Sequence, residues 1–168
     1  MSLLKIAKVW IYKRLRSYRW NRIVTQLDYS CQTLLDIGCQ ELYFYERLKT
    51  HYRVTLADYH PRHDSILKED IQQLSFDDHQ FEIVLCQQVL EHVPDPVKAI
   101  KELRRVAARQ LIITVPYEPF FSIARLCCWE KEHLWAVTPL VLKHYLGAPI
   151  FENKLFFKRY YLGVWNFG

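Results

Sequence analysis

The sequence predicts an α/β protein built on a mostly parallel sheet, and three observations carry that prediction. Short apolar runs recur along the chain at Thr33 to Ile37, Arg53 to Ala57, Phe81 to Cys86 and Gln110 to Val115. Helix-patterned segments lie between them, as a layered α/β sheet requires. The first run continues as TLLDIGCQEL to Leu42, ending in an acid and a glycine before a turn toward a helix. A strand, a helix and a strand within residues 33–58 form a βαβ unit, whose strands run parallel across a right-handed crossover.

The 168 residues suit one domain spanning residues 1–168, large enough to bury a core without staples. Half the residues are apolar and about a quarter charged, a globular rather than a disordered composition. The five cysteines, Cys31, Cys39, Cys86, Cys127 and Cys128, form no CxxC pair and no Cys/His spacing for zinc. A reduced, cytoplasmic compartment is therefore expected. No apolar run approaches the roughly 18 to 20 residues that cross a bilayer, and the amino terminus shows no signal-peptide core.

The net charge of +5 is uneven: residues 1–27 carry +7 without an acid, and the remainder sums to −2. Leu4, Ala7, Ile11, Leu15 and Tyr18 recur at helical spacing with Lys5, Lys8, Arg16 and Arg19 beside them. Two readings follow. One is a helix packed on the domain with solvated basic flanks. The other is a basic helix that meets anionic lipid or nucleic acid, with Trp10 and Trp20 as interfacial anchors. A second short helix is expected at Ile23 to Leu27.

After Gly38, residues Leu42, Tyr45, Glu46, Leu48 and Lys49 suit a helix ending near Thr50, and the second strand closes on Asp58. Tyr59 to Ser65 is too short for a helical crossover of about a dozen residues, so a third strand at Ile66 to Lys68 must be reached by a loop. Pro94 to Val106 reads as a helix with Pro at its start and Arg104 and Arg105 at its end. Tyr117 to Trp135 is aromatic and irregular; 117–137 is a candidate lid or a packed loop. Thr138 caps a helix from Pro139 to about Leu146, stopped by Gly147. Two last strands follow, turning near Glu152 to Lys154 or Lys158 to Arg159.

Ligands of open α/β sheets sit at the carboxyl ends of the strands, and an acid about 20 residues beyond the glycine loop can hold a ribose diol. Gly38 and Asp58 have that separation. A dinucleotide loop needs three glycines for close approach to pyrophosphate, and only Gly38 stands here. A phosphate-free cofactor such as S-adenosylmethionine makes other demands. Its diol, adenine amino group and positive charge suit carboxylates, which Asp36, Asp58 and Asp70 supply near strand ends.

The ordered set LLDIGC, VTLADYHP, LKEDIQQLSF, FEIVLCQQVLEHVPDPVKAIKELRRV and LIITVP resembles the class I S-adenosylmethionine-dependent methyltransferases. The resemblance spans Thr33 to Pro116, and HLWAVTPLVLKHYLG is similar to the family's segment before its last hairpin. It implies a Rossmann-like, mostly parallel seven-stranded sheet with an antiparallel last strand and helices on both faces. It also implies that Asp36 and Gly38 line the cofactor's amino-acid end and that Asp58 takes the ribose hydroxyls. Asp70 with the Ile71 amide would face adenine, and Gln87 would flank the methionine part. The alternative for each acid is a helix cap or turn residue.

The family's loop runs D-x-G-x-G-x-G, whereas Gln40 and Leu42 occupy the second and third glycine positions here. A side chain at position 40 crowds the methionine portion or imposes a positive φ on a residue that resists it. The helix that follows the family's second strand is also missing. His92, just past the fourth strand, is the candidate base for an acceptor that must lose a proton, or else a packing residue. His60 and His63 lack a third ligand, so no metal is expected. The expected function is methyl transfer from S-adenosylmethionine to a small-molecule or lipid-linked acceptor. The alternative is a degenerate member acting as scaffold or partner, and a third reading is a nucleic-acid methyltransferase using the basic helix.

Overall fold

The computed structural model describes residues 3–40, 42–117, 134–155 and 160–168, with side chains from residue 14 onward. Its strands are β1 (Thr33–Ile37), β2 (Arg53–Asp58), β3 (Leu67–Lys68), β4 (Phe81–Gln87), β5 (Ala107–Pro116), β6 (Phe151–Lys154) and β7 (Tyr160–Asn166). They form one seven-stranded sheet in the order β3-β2-β1-β4-β5-β7-β6. The first five in that order are parallel, and β7 runs antiparallel to both β5 and β6. The last strand is thus antiparallel, as expected.

Helices α1 (Leu3–Val24), α2 (Tyr45–Leu48), α3 (Pro96–Val106) and α4 (Pro139–Leu146) cover both faces. Alternation along the strands decides which residues face which helix. Leu35, Ile37, Val84, Cys86, Leu111 and Ile113 pack with Ile100 and Leu103 of α3 and Leu142 of α4. Leu34, Ile83, Leu85 and Ile112 pack on the other face with Trp20 and Ile23 of α1 and Leu48 of α2. Helix α4 starts at Pro139 as the sequence predicts, whereas α3 starts at Pro96, two residues after the expected Pro94, because Asp95 takes the capping position. Asp95 accepts from the Lys98 amide ahead of Pro96, and Thr138 accepts from the Val141 amide ahead of Pro139. Gly147, at φ 80°, ends α4.

Four further expectations are corrected. Residues 1–27 contain no Gly or Pro to break a helix, so α1 runs unbroken to Val24 and only a turn follows, with the Gln26 amide donating to the Ile23 carbonyl. No separate helix forms at Ile23 to Leu27. Trp20 is not an interfacial anchor: it is buried and stacks on Phe44 with ring centroids 4.1 Å apart. That same contact consumes the start of the expected Leu42 to Thr50 helix, because burying Phe44 holds the segment in turns until Tyr45 and leaves α2 one turn long. Glu152 to Lys154 cannot be the final turn, since they pair with β7 inside β6. The other expected turn, at Lys158 to Arg159, and residues 118–133 of the candidate lid lie outside the described residues.

Gln110 pins α1 to the sheet: its Oε1 accepts from the Asp28 amide and its Nε2 donates to the Gln26 carbonyl. Glu82 does the same for β1, accepting from the amides of Gln32 and Thr33. β3 is reached by a loop, as expected. Among the described residues no helix is long and apolar enough to cross a membrane.

Candidate cofactor site at the carboxyl edge of the sheet

The strand order reverses between β1 and β4, which places their carboxyl ends at the crevice where open α/β sheets bind ligands. β1 delivers Asp36, then Gly38 at φ 79°. The amides of Gly38 and Cys39 both donate to the Ala57 carbonyl, at 2.8 and 3.4 Å. The next amide, of Gln40, donates to Oδ2 of Asp58 at 2.8 Å. Oδ1 of Asp58 accepts from the His60 amide, also at 2.8 Å. The glycine loop is therefore hung by three successive N–H groups from the end of β2. Each Asp58 oxygen keeps capacity for a further donor.

Asp36 is buried, and no described residue donates a hydrogen bond to its carboxylate. Burial, with the nearby Asp58 charge, pushes its pKa up to about 7. The same field reaches the thiols: burial, Asp36 and Asp58 raise Cys39 to about 12, and burial with Glu91 and Asp36 pushes Cys86 well above the usual thiol range. These thiols are poor nucleophiles. The edge is acidic and low in dielectric, a setting that favours a cation or a hydrogen-bond donor.

The remaining expected residues surround this point unevenly. Asp70 caps its own turn, accepting from the Gln72 amide at 2.9 Å and from Gln72 Nε2 at 3.1 Å. Ile71 is buried in the core under that turn. Gln72 carries the turn onto α3 through its Oε1, which accepts from the Asp95 amide. Gln87 ends β4 with a buried Oε1 that has no hydrogen-bond partner among the described residues. His92 is 36% exposed, with Nε2 3.9 Å from Oε1 of the buried Glu91.

Sequence reasoning missed how the β4 end is built. Gln88, at φ 55°, donates its amide to the Thr114 carbonyl and its Nε2 to Thr114 Oγ1. Val89 then packs on the glycine loop: a β-carbon on Gly38 would lie 2.1 Å from Val89 Cγ2. The Glu91 carbonyl accepts from the amides of Leu134 and Trp135, docking residues 134–135 beside the site. No sequence signal marks Gln88 for positive φ.

Residues 35–113 match the family described as a methyltransferase domain. Together with the sheet order above, the solved structures decide the fold. The chain has the Rossmann-like fold of the class I S-adenosylmethionine-dependent methyltransferases. It is 26% identical over 117 residues to a tRNA U34 carboxymethyltransferase from Nautilia profundicola, matching 60% of this chain. The chain covers 39% of the length of that curated relative. A SAM-dependent methyltransferase from Archaeoglobus fulgidus has the same fold, with a TM-score of 0.70, 17% identity, and 92% of this chain and 94% of that chain covered. The N-methyltransferase NodS from Bradyrhizobium japonicum, solved with S-adenosyl-L-homocysteine, aligns with a TM-score of 0.60 and 20% identity over 81% of this chain and 78% of that chain.

Proposed function

We propose that this protein is a methyltransferase that uses S-adenosylmethionine on a small-molecule or lipid-linked acceptor. The observation that carries this reading is Asp36, a buried carboxylate without a donor among the described residues, at the switch point of the sheet. Such a group is unfavourable alone and becomes favourable beside a cationic ligand group. The residues present fit the cofactor. Asp36 and Gly38 would hold its amino-acid end, with the unpaired Oε1 of Gln87 accepting an N–H there. Asp58 would take the ribose hydroxyls through its remaining lone pairs, and Asp70 with the Ile71 amide would face adenine. When bound, the cofactor supplies a methyl group already activated on a sulfonium, so orientation of the acceptor carries much of the acceleration. His92 would receive the acceptor's proton where one must leave.

Gln40 bears on the degenerate alternative. Residue 40 does adopt positive φ, yet it is exposed, which supports a methionine pocket that its side chain does not fill. A nucleic-acid acceptor is the second reading, favoured by the tRNA-acting relative and the +7 segment of residues 1–27. Against it, and against an anionic membrane partner, Arg16 and Arg19 spend their guanidinium groups within the protein, over the rings of Tyr43 and Tyr160 at 3.5 and 4.8 Å. Among the described residues no three or more metal-ligating side chains cluster, and the reading calls for no metal.

The test is incubation with S-adenosylmethionine and panels of amine, hydroxyl and lipid-linked acceptors, read by mass spectrometry. A methylated acceptor formed together with S-adenosylhomocysteine sustains the reading. Turnover on RNA alone, with salt-sensitive binding, would replace the acceptor class.

A further inference from the structure

Three successive amides, those of residues 38, 39 and 40, bind the end of β2, but they do so differently. Gly38 and Cys39 donate to a backbone carbonyl, that of Ala57, whereas Gln40 donates to a side chain, Oδ2 of Asp58. Gln40 is also the residue of this loop that holds φ 53° with a β-carbon present, a conformation that L-residues adopt at a cost and glycine adopts freely. Residue 40 is exposed, so packing does little to impose that conformation. The other Asp58 oxygen accepts from the His60 amide, in the loop that stands where a helix would otherwise follow β2.

From this geometry we infer that Asp58 is a positioning residue for the glycine loop, holding Gln40 in its left-handed conformation while also stapling that loop to residue 60. The inference rests on the proposed cofactor site and deepens it. The carboxylate assigned to the ribose hydroxyls also shapes the wall against which the amino-acid end is held. A non-glycine residue at position 40 is tolerated because Asp58 supplies the acceptor that its strained amide needs. Contact with ligand and shape of the loop are then coupled through one side chain.

The coupling is tested with the full chain in four forms: the unaltered protein, Asp58→Ala, Gln40→Gly, and the double variant. Without ligand, amide hydrogen exchange at residue 40 should accelerate at least tenfold in Asp58→Ala while amides of the core strands keep their protection. An unchanged rate at residue 40 would overturn the inference whether or not the protein binds cofactor. With S-adenosylhomocysteine, titrated by calorimetry, Asp58→Ala should lose at least threefold less affinity in the Gln40→Gly background than in the unaltered one. Glycine needs no help to hold the loop, so only the direct contact is then lost. Equal losses in both backgrounds would reduce Asp58 to a ligand contact and overturn its positioning role. Failure of the unaltered protein to bind would instead sink the cofactor reading, with the exchange experiment still deciding the loop.

Discussion

Val89 Cγ2 occupies the space into which a β-carbon on Gly38 would project, with 2.1 Å between them. The glycine loop and the turn after β4 are therefore fitted to each other across 51 positions of sequence, and Gly38 is required twice, for its φ of 79° and for this approach. Gly38→Ala should destabilise the protein by roughly 2 kcal/mol or more, measured by urea unfolding. Adding Val89→Ala should recover the clash but not the backbone cost. Full additivity of the two losses would show that the contact is not the cause.

Asp36→Asn should stabilise the ligand-free protein. The folded pKa of about 7 lies above the ordinary 3.8, so ionising Asp36 costs stability progressively as pH rises from about 4 to about 7, and the whole cost is present above 7. The amide removes that charge. The gain should be negligible near pH 4 and reach on the order of 2 to 4 kcal/mol above pH 7. Thermal unfolding across this range checks it; a gain that does not vary with pH would contradict the assignment.

On the proposed cofactor reading, the same carboxyl should make binding pH-dependent. A cationic ligand group favours the ionised form, so binding lowers the Asp36 pKa and releases a proton wherever the free protein holds one. Affinity for S-adenosylhomocysteine should rise with pH and level off above about 7, where free Asp36 is already ionised. Calorimetry in buffers of different ionisation enthalpy should show proton release at pH 6 and almost none at pH 8. Asp36→Asn should abolish the difference.

Arg105 closes the turn that leads into β4. Its guanidinium donates to the Leu74 and Phe76 carbonyls, to Asp78 at 2.9 Å and to Glu102. Glu102 is held below the ordinary carboxylate range, first by Arg105. Arg105→Ala should cost about 1 to 3 kcal/mol at neutral pH. The part due to the Glu102 pair is present above the usual glutamate pKa and fades as pH falls through the depressed one. Chemical unfolding at pH 7 and pH 3 would show this, the loss being smaller at pH 3.

The sheet was legible because buried strands announce themselves: TLLDI appears as β1 with the expected bounds, and FEIVLC lacks only Gln87. The Thr138 cap was legible for the same local reason, preceding Pro139, whereas the choice between Pro94 and Pro96 as the start of α3 was settled by the Asp95 cap. The failures were tertiary. Nothing local says that Phe44 will leave its helix to stack on Trp20, 24 positions away. Site residues divide in the same way. The positive φ at Gln40 was foreseeable from the glycine it replaces, whereas the hold of Asp58 on its amide depends on how the two loops meet. For Asp70 the resemblance implies a ligand contact with a turn cap as the alternative, and the structure shows the cap in place.

The central claim is that the carboxyl edge built from Asp36, Gly38, Asp58 and Gln87 binds S-adenosylmethionine. Calorimetric titration with S-adenosylhomocysteine tests it most directly. Saturable binding in the micromolar range, about −8 kcal/mol, with at least a tenfold loss in Asp58→Ala, is the result expected. No heat and no thermal shift at millimolar ligand would contradict it.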